Sequence, residues 1–301
     1  MNPHTADLAA QAYRVGLFGR EGFTVFDEHW YAGHAMPGYG LLFAPLAWLI
    51  GMRVAAALAV MCSIALFESL TRRFYGTAGG AGDALETEGP RARAGRRFGK
   101  SHRDPDTPGA GLVAAGGCLF AVAAVGDVWS GRLTFAFGVA FGVACVFALA
   151  RGRRAAGAAL AGVCAAASPV AGLLLALAAL SQAIARRRAG ALALVGAPVA
   201  LVLGPLELLF AEGGLEPFPV RSFAASAAVT LAFLWGVPRG DRLLRVGGVV
   251  YLLALAGTLL AHSAMGSNIE RYGVLLGGPL LLCSLGREAA RRAAPRGAGK
   301  A

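Results

Sequence analysis

The sequence predicts an all-α protein, a polytopic bundle of about seven to nine transmembrane helices that includes short or re-entrant helices. Three observations support this prediction. Apolar residues make up 56% of the chain and charged residues only 15%, whereas a soluble domain carries about a quarter charged residues. Apolar stretches recur along the chain. Basic clusters follow these stretches at alternate ends, which is the positive-inside pattern of a multi-pass membrane protein.

The basic clusters predict the orientation. They lie at 72–73, 151–154, 186–188, 239–245 and 287–296. On this topology 22 of the 28 lysines and arginines face the cytoplasm, and the 17 acids divide almost evenly. A basic face beside anionic lipid accounts for the net charge of +11 without a nucleic-acid partner. We therefore expect a protein of the cytoplasmic membrane, in contact with the bilayer, with its basic loops and C terminus inside.

The first part of the chain contains three predicted regions. Residues 1–36 are polar and aromatic, and are expected to form an outward-facing first loop. Region 37–75 begins with a short apolar stretch, read as a re-entrant or interfacial helix that ends at Gly51, and continues with the first full span. Residues 76–109 have almost no large apolar side chain, which predicts a disordered cytoplasmic linker.

Region 110–286 is the predicted helix bundle, and 287–301 is a basic cytoplasmic tail. Segment 155–185 has basic clusters at both ends, so it must turn back, and Ser168-Pro169 is its natural break because Pro disfavours helix in the preceding residue. The other segments alternate in direction: 111–126, 133–150, 190–210, 223–238, 246–262 and 272–286. The loops predicted between them on the outward side are 126–132 and 212–221.

Carboxylates, arginines, histidines and aromatic rings gather in the predicted outward loops. The candidate site residues among them are Asp7, Asp27, Glu28, His34, Arg132, Glu270 and Arg271. A sugar-phosphate site uses such groups, because a carboxylate takes a proton from a hydroxyl and a guanidinium binds phosphate through two parallel hydrogen bonds. The alternative is structural, since Trp and Tyr concentrate at membrane interfaces; Trp30, Trp129 and Tyr272 fit that anchor role.

Two loop segments leave further alternatives open. Segment 27–34 holds two acids and two histidines, which are metal ligands in other proteins, but it has no fixed-spacing signature. We therefore assign no metal ligand, and a divalent cation remains an alternative cofactor. Glu270 and Arg271 stand just before the last apolar segment, where a charge pair marks either a functional site or a structural contact that closes the bundle.

The chain also resembles a known family. The residues that carry the resemblance are Asp7, Gly22-Phe23, Asp27, Trp30-Tyr31, Gly33-His34, Pro37-Gly38-Tyr39, Ser168 to Gly172 and Gly266 to Gly273. They resemble GT-C-type membrane glycosyltransferases and, more closely, poorly characterised bacterial multi-pass proteins related to them. The resemblance implies a polyprenyl-phosphate-linked sugar donor, an outward active site and an aspartate base in the first outward loop. Asp7 matches that base best, and Asp27 second.

The resulting hypothesis is sugar transfer from the lipid-phosphate donor at the outward face. Asp7 would be the base, Asp27 and Glu28 would bind the acceptor or a metal, and Arg132 and Arg271 would hold the donor phosphate. His34 and Glu270 complete the candidate substrate-binding set.

Two rival hypotheses remain. The breaks near 37–51 and at Ser168-Pro169 are also typical of the discontinuous helices of a transporter or lipid flippase. A non-catalytic membrane protein is the third hypothesis, because the family carries a transmembrane helix before the first loop and here Met1 lies six residues before Asp7.

Overall fold

The structure is a computed structural model that describes residues 5–30, 33–76, 107–210, 216–261 and 263–294. These residues form an all-α protein, as predicted. The helices are α1 (Ala6–Glu21), α2 (Phe43–Ile50), α3 (Met52–Tyr75), α4 (Ala110–Trp129), α5 (Leu133–Ala150), α6 (Arg154–Ala167), α7 (Pro169–Arg186), α8 (Gly190–Leu209), α9 (Val220–Gly236), α10 (Arg242–Leu260) and α11 (Gly278–Ala293). Short helical turns at Pro37–Tyr39 and from Gly266 to Gly277 precede α2 and α11.

The helices are those of a membrane-embedded protein. Six of them, α3, α4, α5, α7, α8 and α10, are long and apolar enough to cross a bilayer. Two more apolar helices, α6 and α9, are shorter. At a rise of about 1.5 Å per residue the 14 residues of α6 span about 21 Å, less than the ~30 Å hydrocarbon core. The membrane-embedded bundle is therefore confirmed, whereas the total of seven to nine spans stays a prediction.

Both predicted helix breaks are present. α2 ends and α3 begins at Gly51, whose φ of 88° is readily adopted only by glycine. Ser168 ends α6 in an extended conformation and then caps α7, where its hydroxyl accepts a hydrogen bond from the Ala171 amide. Pro169 takes the first position of α7, where its missing N–H costs nothing. Segment 154–186 is thus a helical hairpin with α6 and α7 in contact.

The bundle is tightly packed through small residues. α4 packs between α3 and α11, α5 packs between α3 and α6, and α8 contacts both arms of the α6–α7 hairpin. At Gly116 of α4 an added Cβ would lie 2.7 Å from the Cys283 sulfur and from the Pro279 carbonyl oxygen of α11. Phe67 and Phe120 stack in the core with ring centroids 4.0 Å apart. Close backbone approach at small residues is the usual way in which helices associate in lipid.

The two ends of the bundle are built from different contacts. At one end, here called the basic end, Arg287 of α11 donates a 2.6 Å hydrogen bond to Asp241, and its guanidinium covers the Tyr75 ring at 5.0 Å. Gly109, just before α4, also packs on Gly286 there. The other end, here called the α1 end, holds the first turn of α1, the 130–132 loop and the turns before α11. This arrangement agrees with the predicted alternation of the chain.

The structure adds detail to several regions that the sequence defined only by position and charge. The loop expected at 126–132 is shorter, because α4 continues to Trp129. The tail expected at 287–301 begins as helix, since α11 continues to Ala293. The first loop contains the 16-residue helix α1 and a two-stranded antiparallel hairpin, β1 (Phe26–Asp27) and β2 (His34–Ala35). Most of the predicted disordered linker 76–109 is not covered by the structure, because residues 77–106 lie outside the described residues.

The predicted membrane anchors differ among themselves. Trp129 is 57% exposed at the end of α4, as expected for an anchor. Trp30 is buried instead, because its ring stacks on Tyr13 at 5.4 Å and meets the edge of Tyr39. Tyr272 packs against Tyr251 of α10. Only Trp129 of the three therefore has the exposure that an anchor needs.

Candidate functional site

The first turn of α1 lies directly on the α4–α5 loop. Thr5 caps the helix by accepting a hydrogen bond from the Leu8 amide. Gly131, in the loop, has a φ of 86°, and a Cβ there would collide with Thr5 and Leu8. One turn further, Thr134 donates a 2.5 Å hydrogen bond to Gln11. Glycine at position 131 therefore lets two segments distant in sequence meet, and it brings Asp7 beside Arg132.

Arg132 lies between two carboxylates. Its Nε is 3.7 Å from Asp7 Oδ2, and its Nη1 donates a long, 3.5 Å hydrogen bond to Asp127 Oδ1 at the end of α4. The Arg132 and Asp7 side chains are 37% and 50% exposed, whereas that of Asp127 is 10% exposed. The Arg132 Nε itself is buried and has no hydrogen-bond acceptor within the described residues. The guanidinium is thus held in place, with part of its hydrogen-bonding capacity unused.

Arg271 joins this group from the turn before α11. Burial lowers the pKa of Arg271, and the nearby charge of Arg132 lowers it further, while Asp7 and Asp127 oppose the shift. Its guanidinium lies over the Phe135 ring at 5.2 Å. Within the described residues, Arg271 forms no hydrogen bond and no ion pair. Two arginines therefore approach each other, and one of them has its donors unpaired.

We call Asp7, Asp127, Arg132 and Arg271 the charge cluster. Two guanidinium groups that repel each other and have unused N–H donors fit an anion, and the planar fork of arginine suits phosphate. Half-exposed Asp7 stands at the edge of the cluster, where it can accept a proton from a hydroxyl group. The cluster thus combines an anion-binding part with a potential base, and it includes three of the predicted site residues.

Glu270 does not pair with its neighbour Arg271. Its Oε1 accepts a 2.6 Å hydrogen bond from Ser226 of α9. Successive residues on a helical turn point in different directions, so the expected Glu270–Arg271 pair does not form. Glu216 similarly accepts a 2.7 Å hydrogen bond from Ser267. Glu270 thus connects the turns before α11 to α9, and Glu216 connects the loop before α9 to the same turns.

Asp27 belongs to a separate network in the hairpin. Its Oδ2 accepts a hydrogen bond from the Tyr13 hydroxyl at 2.5 Å, and its Oδ1 accepts one from the His29 amide at 2.9 Å. The Tyr13 hydrogen bond is the main cause that holds the pKa of Asp27 below its usual value. His34 pairs with Asp27 in the strand register, and Glu28 is exposed. No hydrogen bond or ion pair joins Asp27 to the charge cluster within the described residues.

In the described part of the chain, no three His, Cys, Asp or Glu side chains are arranged to hold one metal ion. Tyr31, in the segment considered for a metal, lies outside the described residues, as do Glu212 of the outward loop 212–221 and His262 at the end of the span 246–262.

Asp127 is the cluster member that the sequence reasoning did not select. It lies inside a segment predicted as loop, and in fact it occupies the last turn of α4. Its spacing of five residues from Arg132 across a tight turn was the available signal. The turn folds back because the Arg132 amide donates to the Asp127 carbonyl oxygen at 2.9 Å.

Fold and site together define a class of protein: a multi-pass membrane protein with a cluster of two arginines and two aspartates at one end of the bundle. Comparisons of the chain with protein-family models, with curated proteins and with solved structures find no match. The family resemblance therefore depends on the sequence motifs alone, and any function must be argued from the cluster.

Proposed function

We propose that this chain is a membrane-embedded transferase that moves a sugar from a polyprenyl-phosphate-linked donor to an acceptor at the α1 end. The observation that carries the proposal is that Arg132 and Arg271 lie close enough for their charges to repel, each with unused donors, on the same side of the bundle as the half-exposed carboxylate of Asp7. A bound phosphate would offset the electrostatic repulsion between the two positively charged arginines. The carboxylate supplies the base that an acceptor hydroxyl needs.

The position of the cluster favours a lipid-linked donor. Asp127 ends α4 and Arg132 directly precedes α5, and both helices are long and apolar enough to cross the membrane. A phosphate held there lies at the level of the lipid headgroups, with its hydrocarbon chain free to extend along the bundle. A water-soluble nucleotide sugar has no need for a site at this depth.

Each cluster residue has its own role in the proposed reaction. Arg132 and Arg271 bind the donor phosphate and stabilise the charge that grows on it as the sugar leaves. Asp7 accepts the proton of the attacking hydroxyl. Asp127, the most buried of the four, holds Arg132 in position. Asp27 remains the second candidate for the base, and Glu28, His34 and Glu270 remain candidates for contacts with the substrate.

We further propose that the α1 end faces outward from the cytoplasmic membrane. The basic clusters beside α3, α6, α7, α10 and α11 support this orientation through the positive-inside rule. Glu28→Cys lies at the α1 end and Gly240→Cys at the basic end, and both positions are exposed. In intact cells, a membrane-impermeant thiol reagent should label the cysteine at position 28 and reach the one at position 240 only after lysis. The reverse pattern would refute the orientation.

A transfer assay with purified protein and polyprenyl-phosphate sugar tests the proposed reaction. Asp7→Asn keeps the shape of the side chain but removes its charge, so turnover should fall by roughly 10²- to 10⁴-fold. Glu288→Gln, at the basic end, is the matched carboxylate control and should leave turnover unchanged. If Asp27→Asn abolishes turnover and Asp7→Asn does not, the base is Asp27. Full activity in both variants would exclude an aspartate base in this region.

One observation favours a second candidate, a lipid transporter or flippase. The segment that leads into the short helix α2 touches the break between α6 and α7, since the Leu41 amide donates a 2.7 Å hydrogen bond to the Ala166 carbonyl oxygen at the tip of the α6–α7 hairpin. Paired discontinuous helices form substrate sites in many transporters. Movement of a fluorescent lipid across proteoliposomes, without any sugar transfer, would support this candidate over the enzyme.

A further inference from the structure

Arg14 of α1 is a buried cation without a carboxylate partner among the described residues. It is 6% exposed. Its Nη2 donates a 2.7 Å hydrogen bond to the Gly40 carbonyl oxygen, its Nη1 lies 3.5 Å from Gln11 Oε1, and its guanidinium is 5.8 Å from the Tyr39 ring. No acid of the described residues forms an ion pair with it. Guanidinium has five N–H donors, so most of its capacity is unused.

This burial is costly for a charged group. It lowers the pKa of Arg14 to about 10, so the side chain stays charged at neutral pH. Buried charges are normally paired, because an isolated charge loses its hydration without compensation. The neutral carbonyl oxygen of Gly40 and the side-chain amide oxygen of Gln11, 3.5 Å away, compensate only weakly for this lost hydration. An anionic group beside Arg14 would supply the missing partner.

A small cavity opens beside Arg14. It lies between α1, the hairpin and α2, and its volume of about 40 Å³ exceeds the roughly 10–15 Å³ that a water molecule needs. Thr24 also lines it, and the Thr24 hydroxyl oxygen is buried with no hydrogen-bond partner in the described part of the chain. Two residues with unused hydrogen-bonding capacity, one cationic and one neutral, therefore line the same cavity.

The surroundings of the cavity are apolar and exposed. Phe18 meets the edges of Phe23 and Trp48 at centroid distances of 5.7 and 5.9 Å. Phe23, Trp48 and Leu49 are 64%, 56% and 72% exposed. Trp and neighbouring apolar side chains are typical of the membrane–water interface. A molecule with an anionic head and an apolar tail fits this combination.

We propose that the cavity between α1, the hairpin and α2 binds the phosphate group of a bilayer phospholipid, held by Arg14 and Thr24, with its acyl chains against Phe23 and Trp48. The bound lipid would fasten the N-terminal helices to the membrane surface. This site is separate from the proposed donor site, since it includes none of the residues of the charge cluster. Either proposal can therefore fail without the other.

The test measures lipid binding to the purified full-length protein. The probes are dioctanoyl phosphatidylglycerol, dioctanoylglycerol without phosphate, and inorganic phosphate, and binding is followed by thermal stabilisation in detergent and by native mass spectrometry. Phosphatidylglycerol should stabilise the wild-type protein. The other two probes should have little effect, because each supplies only half of the recognised chemistry.

Three variants assign the binding to the cavity. Thr24→Val keeps the shape but removes the hydroxyl, so it should weaken phosphatidylglycerol binding by about 3- to 10-fold, the range expected for one lost hydrogen bond. Arg14→Gln should weaken it by at least about tenfold. Arg20→Gln removes an exposed arginine of the same helix and serves as the control, with unchanged binding.

Each other outcome would overturn the proposal. Equal binding in Thr24→Val and the wild type would exclude the cavity as the headgroup site, even if Arg14→Gln fails to fold. Stabilisation by inorganic phosphate as strong as that by lipid would make the site one for a soluble anion. Equal stabilisation by dioctanoylglycerol would leave only a non-specific apolar contact.

Discussion

The two ends of the bundle use the same residue types for different purposes. At the basic end Asp241 accepts hydrogen bonds from the Leu244 amide, the Ser284 hydroxyl and Arg287, the latter two at 2.7 and 2.6 Å. Every charge of that group has a close partner. At the α1 end the carboxylate oxygens of Asp127 and Asp7 lie 3.5 and 3.7 Å from Arg132, and Arg271 has no hydrogen bond or ion pair with any described residue. The first group is complete as a structural contact, whereas the second has hydrogen-bond donors that no described residue satisfies.

This difference predicts opposite results when each group is mutated. Residues of the basic end should affect stability and leave activity per folded molecule unchanged. Residues of the charge cluster should affect activity and ligand binding more than stability. The residue types alone would not distinguish the structural group from the functional group, because both ends of the bundle contain aspartate and arginine.

The largest effect on stability is expected from Asp241→Ala. This change leaves the largely buried Arg287 without its partner and removes the cap of α10, so unfolding should become easier by roughly 3 kcal/mol, the lower part of the range for a broken buried pair. Unfolding by SDS titration measures it. Glu288→Ala breaks an exposed pair with Arg292 and should cost less than about 1 kcal/mol. Equal losses would show that the Asp241 contacts are not structurally important.

Gly131→Ala should separate stability from activity. Gly131 in the α4–α5 loop and Gly152 in the α5–α6 loop are comparable positions, because both have a positive φ, of 86° and 77°. Alanine costs about 1–2 kcal/mol of backbone strain at either position. Only at 131 does the new Cβ also strike α1, while position 152 is open.

The matched pair of variants therefore isolates the contact between α1 and the loop. Transfer activity should fall at least tenfold in Gly131→Ala, because Asp7 moves away from Arg132, and should be retained in Gly152→Ala. The measurement is turnover per folded molecule, with the folded fraction taken from the unfolding curve. Similar turnover in both variants would mean that docking of α1 is not needed.

The smallest expected effect concerns the hairpin at the α1 end. The Tyr13 hydrogen bond lowers the pKa of Asp27 and raises the pKa of Tyr13. A lowered carboxyl pKa stabilises the fold above the unfolded value of 3.8, and this contribution is lost as pH falls through the folded pKa. A raised tyrosine pKa stabilises the fold below the unfolded value of 10.0 and is lost as pH rises through the folded pKa.

The wild type should therefore melt at a higher temperature than Tyr13→Phe between about pH 5 and pH 9. The difference should shrink on both sides of that window. Thermal melts of the wild type and of Tyr13→Phe across the pH range provide the measurement. A difference that does not change with pH would assign the effect of Tyr13 to packing against Trp30.

The sequence was sufficient for the architecture and for part of the site. Helix breaks at Gly51 and Ser168-Pro169 follow from local backbone chemistry, and the position of the spans follows from the apolar pattern. Asp7, Arg132 and Arg271 were all selected as site residues. Their meeting was not derivable, because it depends on Gly131 and on how α1 docks.

The remaining differences between the sequence predictions and the structure also arise from contacts between segments that are distant in sequence. Trp30 was expected at the membrane surface, but the hairpin folds it against Tyr13. A Glu270–Arg271 pair that closes the bundle was one of two alternatives, yet Glu270 accepts a hydrogen bond from Ser226 of α9 instead. Arg14 was one of many polar residues of the first loop, and only the packing of α1 on Gly40 reveals its burial. Contacts between distant segments decided each case.

Donor affinity in two matched variants tests the central claim most directly. Arg271→Lys and Arg287→Lys make the same change at the two ends of the bundle. A lysine cannot form the two parallel hydrogen bonds with which arginine binds phosphate. The apparent affinity for the polyprenyl-phosphate sugar should therefore fall about tenfold or more in Arg271→Lys, equivalent to about 1.4 kcal/mol, and stay unchanged in Arg287→Lys. Unchanged affinity in Arg271→Lys would contradict the claim that the charge cluster binds the donor phosphate.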